Sequence, residues 1–239
     1  MTQSDELQRL RQVYDAYSAS EEKQYAWSDS NPGNRAMYEE RSFTVRSILE
    51  YYAEILEGPV LDIGCGSGNT LAWLQSEGVD ERKLHGIDVH KPRIVEAHTR
   101  YPGNRFILGD ASKLPFRDDN FSLIFLFTVF SSVLDASLSL GIAREAMRVL
   151  RHDGMILLYD FRRDNPWNPN VRGIRASEIR QLFAGMRIEF RRITLLPPLA
   201  RRLGPLTGVL YPLLSALPLL RTHYLCTMHS MERSRERRA

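Results

Sequence analysis

The sequence predicts an α/β protein built on a doubly wound parallel sheet, and three observations carry that reading. From Pro59 onward short apolar runs alternate with helical patterns, the order expected of βαβ units. Runs such as Leu123-Ile124-Phe125-Leu126-Phe127 are apolar at every position, as strands covered on both faces must be. Three apolar runs also close on an acid, at Asp62, Asp88 and Asp110. In an open parallel sheet those acids share the carboxyl edge, where ligands bind.

Taken in order, residues 4–18 read as a helix, because Leu7, Leu10, Val13, Tyr14 and Tyr17 recur at three- and four-residue spacing. The turn-rich segment 27–34 separates it from a second helix over 35–56. There follow strand 59–63, helix 68–77, strand 83–88, helix 91–100, strand 105–109, strand 121–127, helix 137–150 and strand 154–160. Residues 176–184 form a further helix, 186–196 a strand and 222–228 the last strand. Between the last two strands lies an apolar insertion, 197–221. It holds Pro197, Pro198, Pro205, Pro212 and Pro218 among leucines, with Arg201, Arg202 and Arg221. Five prolines argue against a membrane-spanning helix, since proline inside a helix costs about 3 kcal/mol. A helical segment broken by proline and apolar on one side fits better. It would roof a pocket, touch a membrane interface or pack on the sheet.

At 239 residues and 43% hydrophobic, the chain can bury one core with embellishments. Cys65 and Cys226 give no disulfide framework. The six histidines show no metal-ligand spacing. With no basic-then-apolar leader at the start, a cytoplasmic protein is expected. The net charge of +3 hides an asymmetry. Residues 1–160 carry 17 Lys and Arg against 24 Asp and Glu, whereas 161–239 carry 15 against 5. That polarity suits an anionic acceptor, an anionic membrane surface or nucleic acid.

The densest motif is Val60-Leu61-Asp62-Ile63-Gly64-Cys65-Gly66-Ser67-Gly68-Asn69-Thr70. A strand stops at an acid, glycines follow at every second position, and a helix begins. Glycine admits positive φ and close approach of a ligand, and the helix start offers unpaired N–H groups. The spacing is G-x-G-x-G, whereas the dinucleotide fingerprint puts its last glycine where this chain has Asn69. Asp88, 24 residues after Gly64, suits the two ribose hydroxyls of an adenosine ligand.

These residues resemble the class I S-adenosylmethionine (SAM)-dependent methyltransferases, in particular the group of methyltransferase type 11 and ubiquinone/menaquinone methyltransferases. The resemblance rests on LDIGCGSGNT (61–70), GID (86–88), GDASKLPF (109–116), FSLIFLF (121–127) and AMRVLRHDGMILLYD (146–160). The chain departs at His152-Asp153-Gly154, where the family usually has a Pro-Gly-Gly-like turn. The resemblance implies a Rossmann-like, mostly parallel seven-stranded sheet whose last strand runs antiparallel. It also implies a helical lid at 1–56 and a core at 57–196 completed by strand 222–229; the arginine-rich, polar stretch at 230–239 reads separately as a basic tail, expected to be disordered. SAM is then the cofactor. Asp62, Gly64, Cys65, Gly66 and Gly68 would hold its methionine part, and Asp88 its ribose. Val89 would pack on the adenine, Asp110 and Ala111 would read its amino edge, and Phe127 would lie near the adenine or sulfonium.

If the last strand is antiparallel, Thr222-His223-Tyr224 lies level with Tyr159-Asp160-Phe161. His223 is then a candidate base with Asp160 to orient it, or else a packing histidine. The loop 160–170 offers Arg162, Asn165 and Trp167 for an acceptor. The reading is methylation of a small-molecule, glycan or lipid-linked acceptor, at oxygen in the first place. The alternatives are C-methylation of a prenylated ring and a SAM-binding regulatory protein without turnover. No metal and no DNA partner are expected, and RNA is not favoured. Weak association with an anionic membrane surface is an open expectation, as is the oligomeric state.

Overall fold

A computed structural model describes residues 2–21, 28–165 and 168–230. Seven strands form one sheet: β1 (Val60–Ile63), β2 (Leu84–Asp88), β3 (Arg105–Leu108), β4 (Phe121–Phe127), β5 (Leu150–Phe161), β6 (Met186–Leu195) and β7 (Arg221–Ser230). Their order is β3-β2-β1-β4-β5-β7-β6. Neighbours from β3 to β5 pair parallel, and β7 runs antiparallel to both β5 and β6. The order reverses between β1 and β4, which opens the crevice at the carboxyl edge where doubly wound sheets bind ligands.

Period-two alternation sorts each strand's apolar residues to two cores. Leu61, Ile63, Ile124, Leu126, Ile156, Leu158, Cys226 and Met228 face one side. There they meet Leu10 of α1 (Gln3–Ser18), Ile142 and Ala146 of α5 (Ala136–Val149), and Ile179 of α6 (Ala176–Leu182). Val60, Leu123, Phe125, Met155, Leu157, Tyr159 and Leu225 face the other. They meet Ile48 of α2 (Pro32–Tyr51), Leu71 of α3 (Asn69–Ser76) and Ile94 of α4 (Lys91–Arg100). The continuous apolar runs read from the sequence are this two-sided burial.

Two features, the lid and the start of β5, differ from expectation, and the insertion keeps its broken helical form. Helices α1 and α2 do not act as one lid: α1 covers the carboxyl-edge crevice, while α2 buries Val45, Ile48 and Leu49 against the opposite face of the sheet. Strand β5 begins at Leu150, so His152-Asp153-Gly154 lies within it rather than in a turn. A register irregularity between Phe121 and Leu123 absorbs this early start. The insertion folds as α7 (Pro197–Arg202) and α8 (Thr207–Ser215), each followed by a short 3-10 turn. Ala200 and Tyr211 bury with Leu195 in a third small core, against Ala36 and Met37 of α2. Gly33 makes this fit possible, because a Cβ there would lie 2.2 Å from the Ala200 carbonyl oxygen. Among the described residues no helix is long and apolar enough to cross a membrane. The expected basic tail lies outside the described residues, apart from Ser230 at the end of β7.

Candidate active site

The glycine loop takes the conformation its sequence demands, with Gly64, Gly66 and Gly68 at φ of 75°, 52° and 82°. The N–H groups of Gly64 and Cys65 both donate to the Ile87 carbonyl, at 2.8 and 3.1 Å. This folds the loop across the end of β2. Asp88 completes the join: Oδ2 accepts from the Gly66 N–H at 2.9 Å and Oδ1 from the His90 N–H at 2.8 Å. Asp110 accepts from the Ser112 N–H and hydroxyl, both through Oδ1 at 2.8 Å, which leaves Oδ2 for a ligand.

A cleft lies over this edge, roofed by α1 and floored by the ends of β1–β4. Six of the expected cofactor residues meet on its wall: Gly64, Asp88, Val89, Asp110, Ala111 and Phe127. Asp62, Cys65, Gly66 and Gly68 sit off that wall. The Cys65 thiol is buried against Gly86 and Phe106 and held in its protonated form by that burial. Asp62 is 2% exposed, and burial, aided by the charge of Asp88, pushes its pKa up to about 8, against the pull of Arg41 and Thr70.

That shift has a sign. A carboxyl raised from 3.8 to about 8 lends stability that is full below the ordinary value and is lost as pH rises through the raised one. Asp62→Asn should therefore raise the melting temperature of the ligand-free protein at pH 8.5 and leave it little changed at pH 4. Scanning calorimetry at the two pH values checks this, and equal shifts at both would contradict it.

The wall also holds residues not named from the sequence for this site, among them two pairs that shape it. Leu7 and Leu10 come from α1, and Thr128 and Ser132 from the loop after β4. Helix α1 is latched there by buried polar contacts. Glu6, 0% exposed, accepts from the Leu134 N–H at 2.6 Å, and Arg9 pairs with Glu6 and donates to the Ser132 carbonyl at 2.6 Å. Tyr14 donates to the Ser132 hydroxyl at 3.1 Å, and Asp15 meets His90 Nε2 at 3.0 Å. The apolar stripe of α1 was legible, but its acid at position 6 was not, since an acid in a first helical turn is ordinarily a solvated one. Thr128 holds φ of 56° while its N–H donates to the Tyr159 carbonyl at 2.7 Å. A non-glycine residue held there marks a constrained site.

A second cavity adjoins the cleft and shares Tyr14, Arg93, Thr128 and Ser132 with it. Hydroxyls of Tyr17, Ser18, Ser67 and Ser131 line it, with Glu96, Phe161 and Val171. The loop 160–170 thus borders a cavity, but not through the residues expected. Arg162 donates to the Arg221 carbonyl at 2.7 Å and lies over Tyr224, which ties it to β7. Asn165 is off the wall, and Trp167 lies outside the described residues.

The pairing of His223 with Asp160 is corrected. In the β5–β7 register Asp160 faces Tyr224, and His223 faces Phe161. This is one residue from the expected match, and a one-residue slip turns a side chain to the other face. The His223 ring stacks on Tyr159 at 4.7 Å between centroids, and its Nδ1 meets the Thr222 hydroxyl at 3.1 Å. Burial, reinforced by Arg41 and Arg201, depresses its pKa to about 3. Asp160 lies on the α1 and α5 side, where Oδ2 accepts from the Ser131 N–H at 3.0 Å and Oδ1 from its neighbour Phe161's N–H at 2.8 Å. Burial raises its pKa to about 6.

The topology, the glycine loop and the acids at the ends of β1, β2 and β3 define the class: a Rossmann-like domain of the SAM-dependent methyltransferase type. Comparison with known proteins gives matches of the same kind over part of the chain. Residues 61–158 match the family model described as a methyltransferase domain. A demethylmenaquinone methyltransferase of Beutenbergia cavernae is 31% identical over 110 residues, 46% of this chain and 43% of that protein. Phthiotriol/phenolphthiotriol dimycocerosates methyltransferase 1 of Mycobacterium ulcerans is 32% identical over 141 residues, 55% of this chain and 48% of that protein. The chain thus spans about half the length of the curated relatives it matches. The solved structure of the PH0226 protein of Pyrococcus horikoshii OT3 superposes with a TM-score of 0.61 at 17% identity. It covers 90% of this chain and 98% of its own, a likeness of fold.

Proposed function

We propose that the protein transfers the methyl group of SAM to an oxygen of a small-molecule, glycan or lipid-linked acceptor that is acidic or already ionised. The observation that carries this reading is the second cavity. Its wall is rich in hydroxyls, which suits a polar acceptor, and it bears Arg93. That guanidinium lies 4.2 Å from the Tyr14 ring centroid and has no ion-pair partner among the described residues. A carboxylate, phosphate or phenolate would satisfy it.

The cleft fits SAM on its own geometry. A Cβ on Gly64 would come within 2.9 Å of Val129, so the loop keeps room only by lacking one. Asp62 and Arg41, off the cleft wall, interact electrostatically and would offer opposite charges to the ammonium and carboxylate of the methionine part. Arg41 sits 5.1 Å from the Phe127 ring centroid and 5.3 Å from that of Tyr159. SAM supplies an activated methyl group on a sulfonium, so the chain's task is to align the acceptor and exclude water. An acceptor that arrives ionised needs no strong side-chain base, which agrees with the weak basicity of His223.

C-methylation of a prenylated ring is the second reading, supported by the relative named for demethylmenaquinone. Labelled SAM incubated with aqueous, lipid and polysaccharide extract fractions tests both, and the carbon-13 shift of the transferred methyl separates oxygen from carbon. Arg93→Gln should raise the acceptor KM about tenfold, the loss of one charged hydrogen bond. Label in no fraction would leave the regulatory reading instead.

A further inference from the structure

Helix α8 is inside out. Its buried positions are Thr207, Tyr211 and Ser215, two hydroxyl residues and a phenol at four-residue spacing. Tyr211 spends its hydroxyl on Glu40 of α2 at 2.6 Å, and Ser215 donates to the Pro212 carbonyl at 3.1 Å. The opposite stripe faces solvent with Leu206, Val209, Leu213 and Leu217, at 60%, 67%, 63% and 52% exposure. Leu219 in the following turn is 77% exposed, and Phe43 on the adjoining turn of α2 is 69%. Isolated exposed leucines are ordinary, but a contiguous row on one helix face is not. A helix that places its polar groups inside and its leucines outside is built for an apolar neighbour.

Charge says which neighbour. From Phe190 to Met231 the sequence holds no Asp or Glu, yet it holds Arg191, Arg192, Arg201, Arg202 and Arg221. Arg191, Arg192 and Arg202 are exposed, and none of the three has an ion-pair partner among the described residues. The facing turns of α2 add Arg35, which donates to the Asp29 and Ser30 carbonyls, Glu39, and Glu40, which accepts from the Tyr211 hydroxyl and the Thr194 N–H. An apolar stripe whose own segment carries arginines and no acid, with Glu39 and Glu40 confined to the groove at its inner edge, is the pattern of a helix lying in the headgroup layer of an anionic bilayer. A protein partner would be met by charges of both signs at its rim.

We propose that the ridge Leu206, Val209, Leu213, Leu217 and Leu219 seats the protein on an anionic lipid surface. The ridge is placed for use there. Strand β6 runs parallel to β1–β5, so the insertion that follows Leu195 stands at the same carboxyl edge as the cofactor cleft. Docking by this face brings that edge toward the membrane. The proposal does not depend on the identity of the acceptor.

The test is sedimentation of the full chain with phosphatidylglycerol-containing and with pure phosphatidylcholine vesicles, at low and high salt. The partner variant is V209D/L213D, whose substitutions fall on exposed positions, with calorimetric SAM binding as the check on its fold. The wild type should sediment with the anionic vesicles and lose part of that binding at high salt. The variant should bind them at least about tenfold more weakly with its SAM affinity unchanged. Equal sedimentation of wild type and variant would overturn the proposal. So would a wild type that ignores both vesicle types, or one that ignores them and forms a dimer which the variant dissolves, in which case the ridge belongs to a second copy.

Discussion

Asp88→Ala should lower SAM affinity about a hundredfold or more in titration calorimetry. Two charged hydrogen bonds to the ribose are lost, each worth roughly 1.5–3 kcal/mol, and 1.4 kcal/mol is a factor of ten. The side chain also does structural work before any ligand arrives. Its Oδ2 holds the Gly66 N–H and its Oδ1 the His90 N–H, so removing it frees the glycine loop from β2. Asp88→Asn keeps one acceptor and should fall between. Unchanged binding in Asp88→Ala would take the ribose away from this acid and put the cofactor assignment of the whole edge in question. NAD(H) should not bind to the wild type at all, since the third glycine of a dinucleotide loop is absent.

This edge was legible because several weak signals converge on it. One acid at a strand end is a common helix cap. Three of them, with glycines at 64, 66 and 68, require a shared ligand, and the parallel register brings Gly64, Asp88 and Asp110 to one wall. What the sequence could not carry was parity and direction. The antiparallel β7 was placed correctly along β5, yet the match was off by one residue. In a strand that is the difference between His223 beside Asp160 and His223 on the far face of the sheet. The role of the first helices was hidden for a related reason. Amphipathic periodicity tells that α1 and α2 each bury a face, but not which side of the sheet receives it. The arginines after β5 looked like an anion site because they cluster in sequence. Folding disperses them: Arg162 goes to the Arg221 carbonyl, Arg172 to Glu178. Arg93, in the first turn of α4, reaches the cavity instead.

Asp160, not His223, should control the pH dependence of turnover. The carboxylate of Asp160 lies beneath the wall of the second cavity and holds the N–H groups of both Ser131 and Phe161, which line it. Ionised, it accepts from both. Protonated, one oxygen becomes a donor facing an N–H, and that part of the wall is loosened. With its pKa raised to about 6, turnover should fall as pH drops through about 6 and be flat above 7. Asp160→Asn fixes the half-satisfied state, so it should be slow at every pH and lack that limb. Asp160→Ala should lose about 10²-fold in kcat, the usual consequence of misplacing groups by an ångström. His223→Ala should keep its limb near 6 and most of its rate, far from the 10²–10⁴-fold loss that removal of a general base brings. A ring whose pKa is depressed to about 3 is neutral throughout this range and contributes no ionisation to it. Rate profiles of the three variants from pH 5 to 9, with the acceptor that labelled SAM identifies, decide the matter. If the limb survives Asp160→Asn and disappears in His223→Ala, the imidazole is the titrating group after all. The acceptor would then be a hydroxyl that must lose its proton at the site rather than one that arrives ionised.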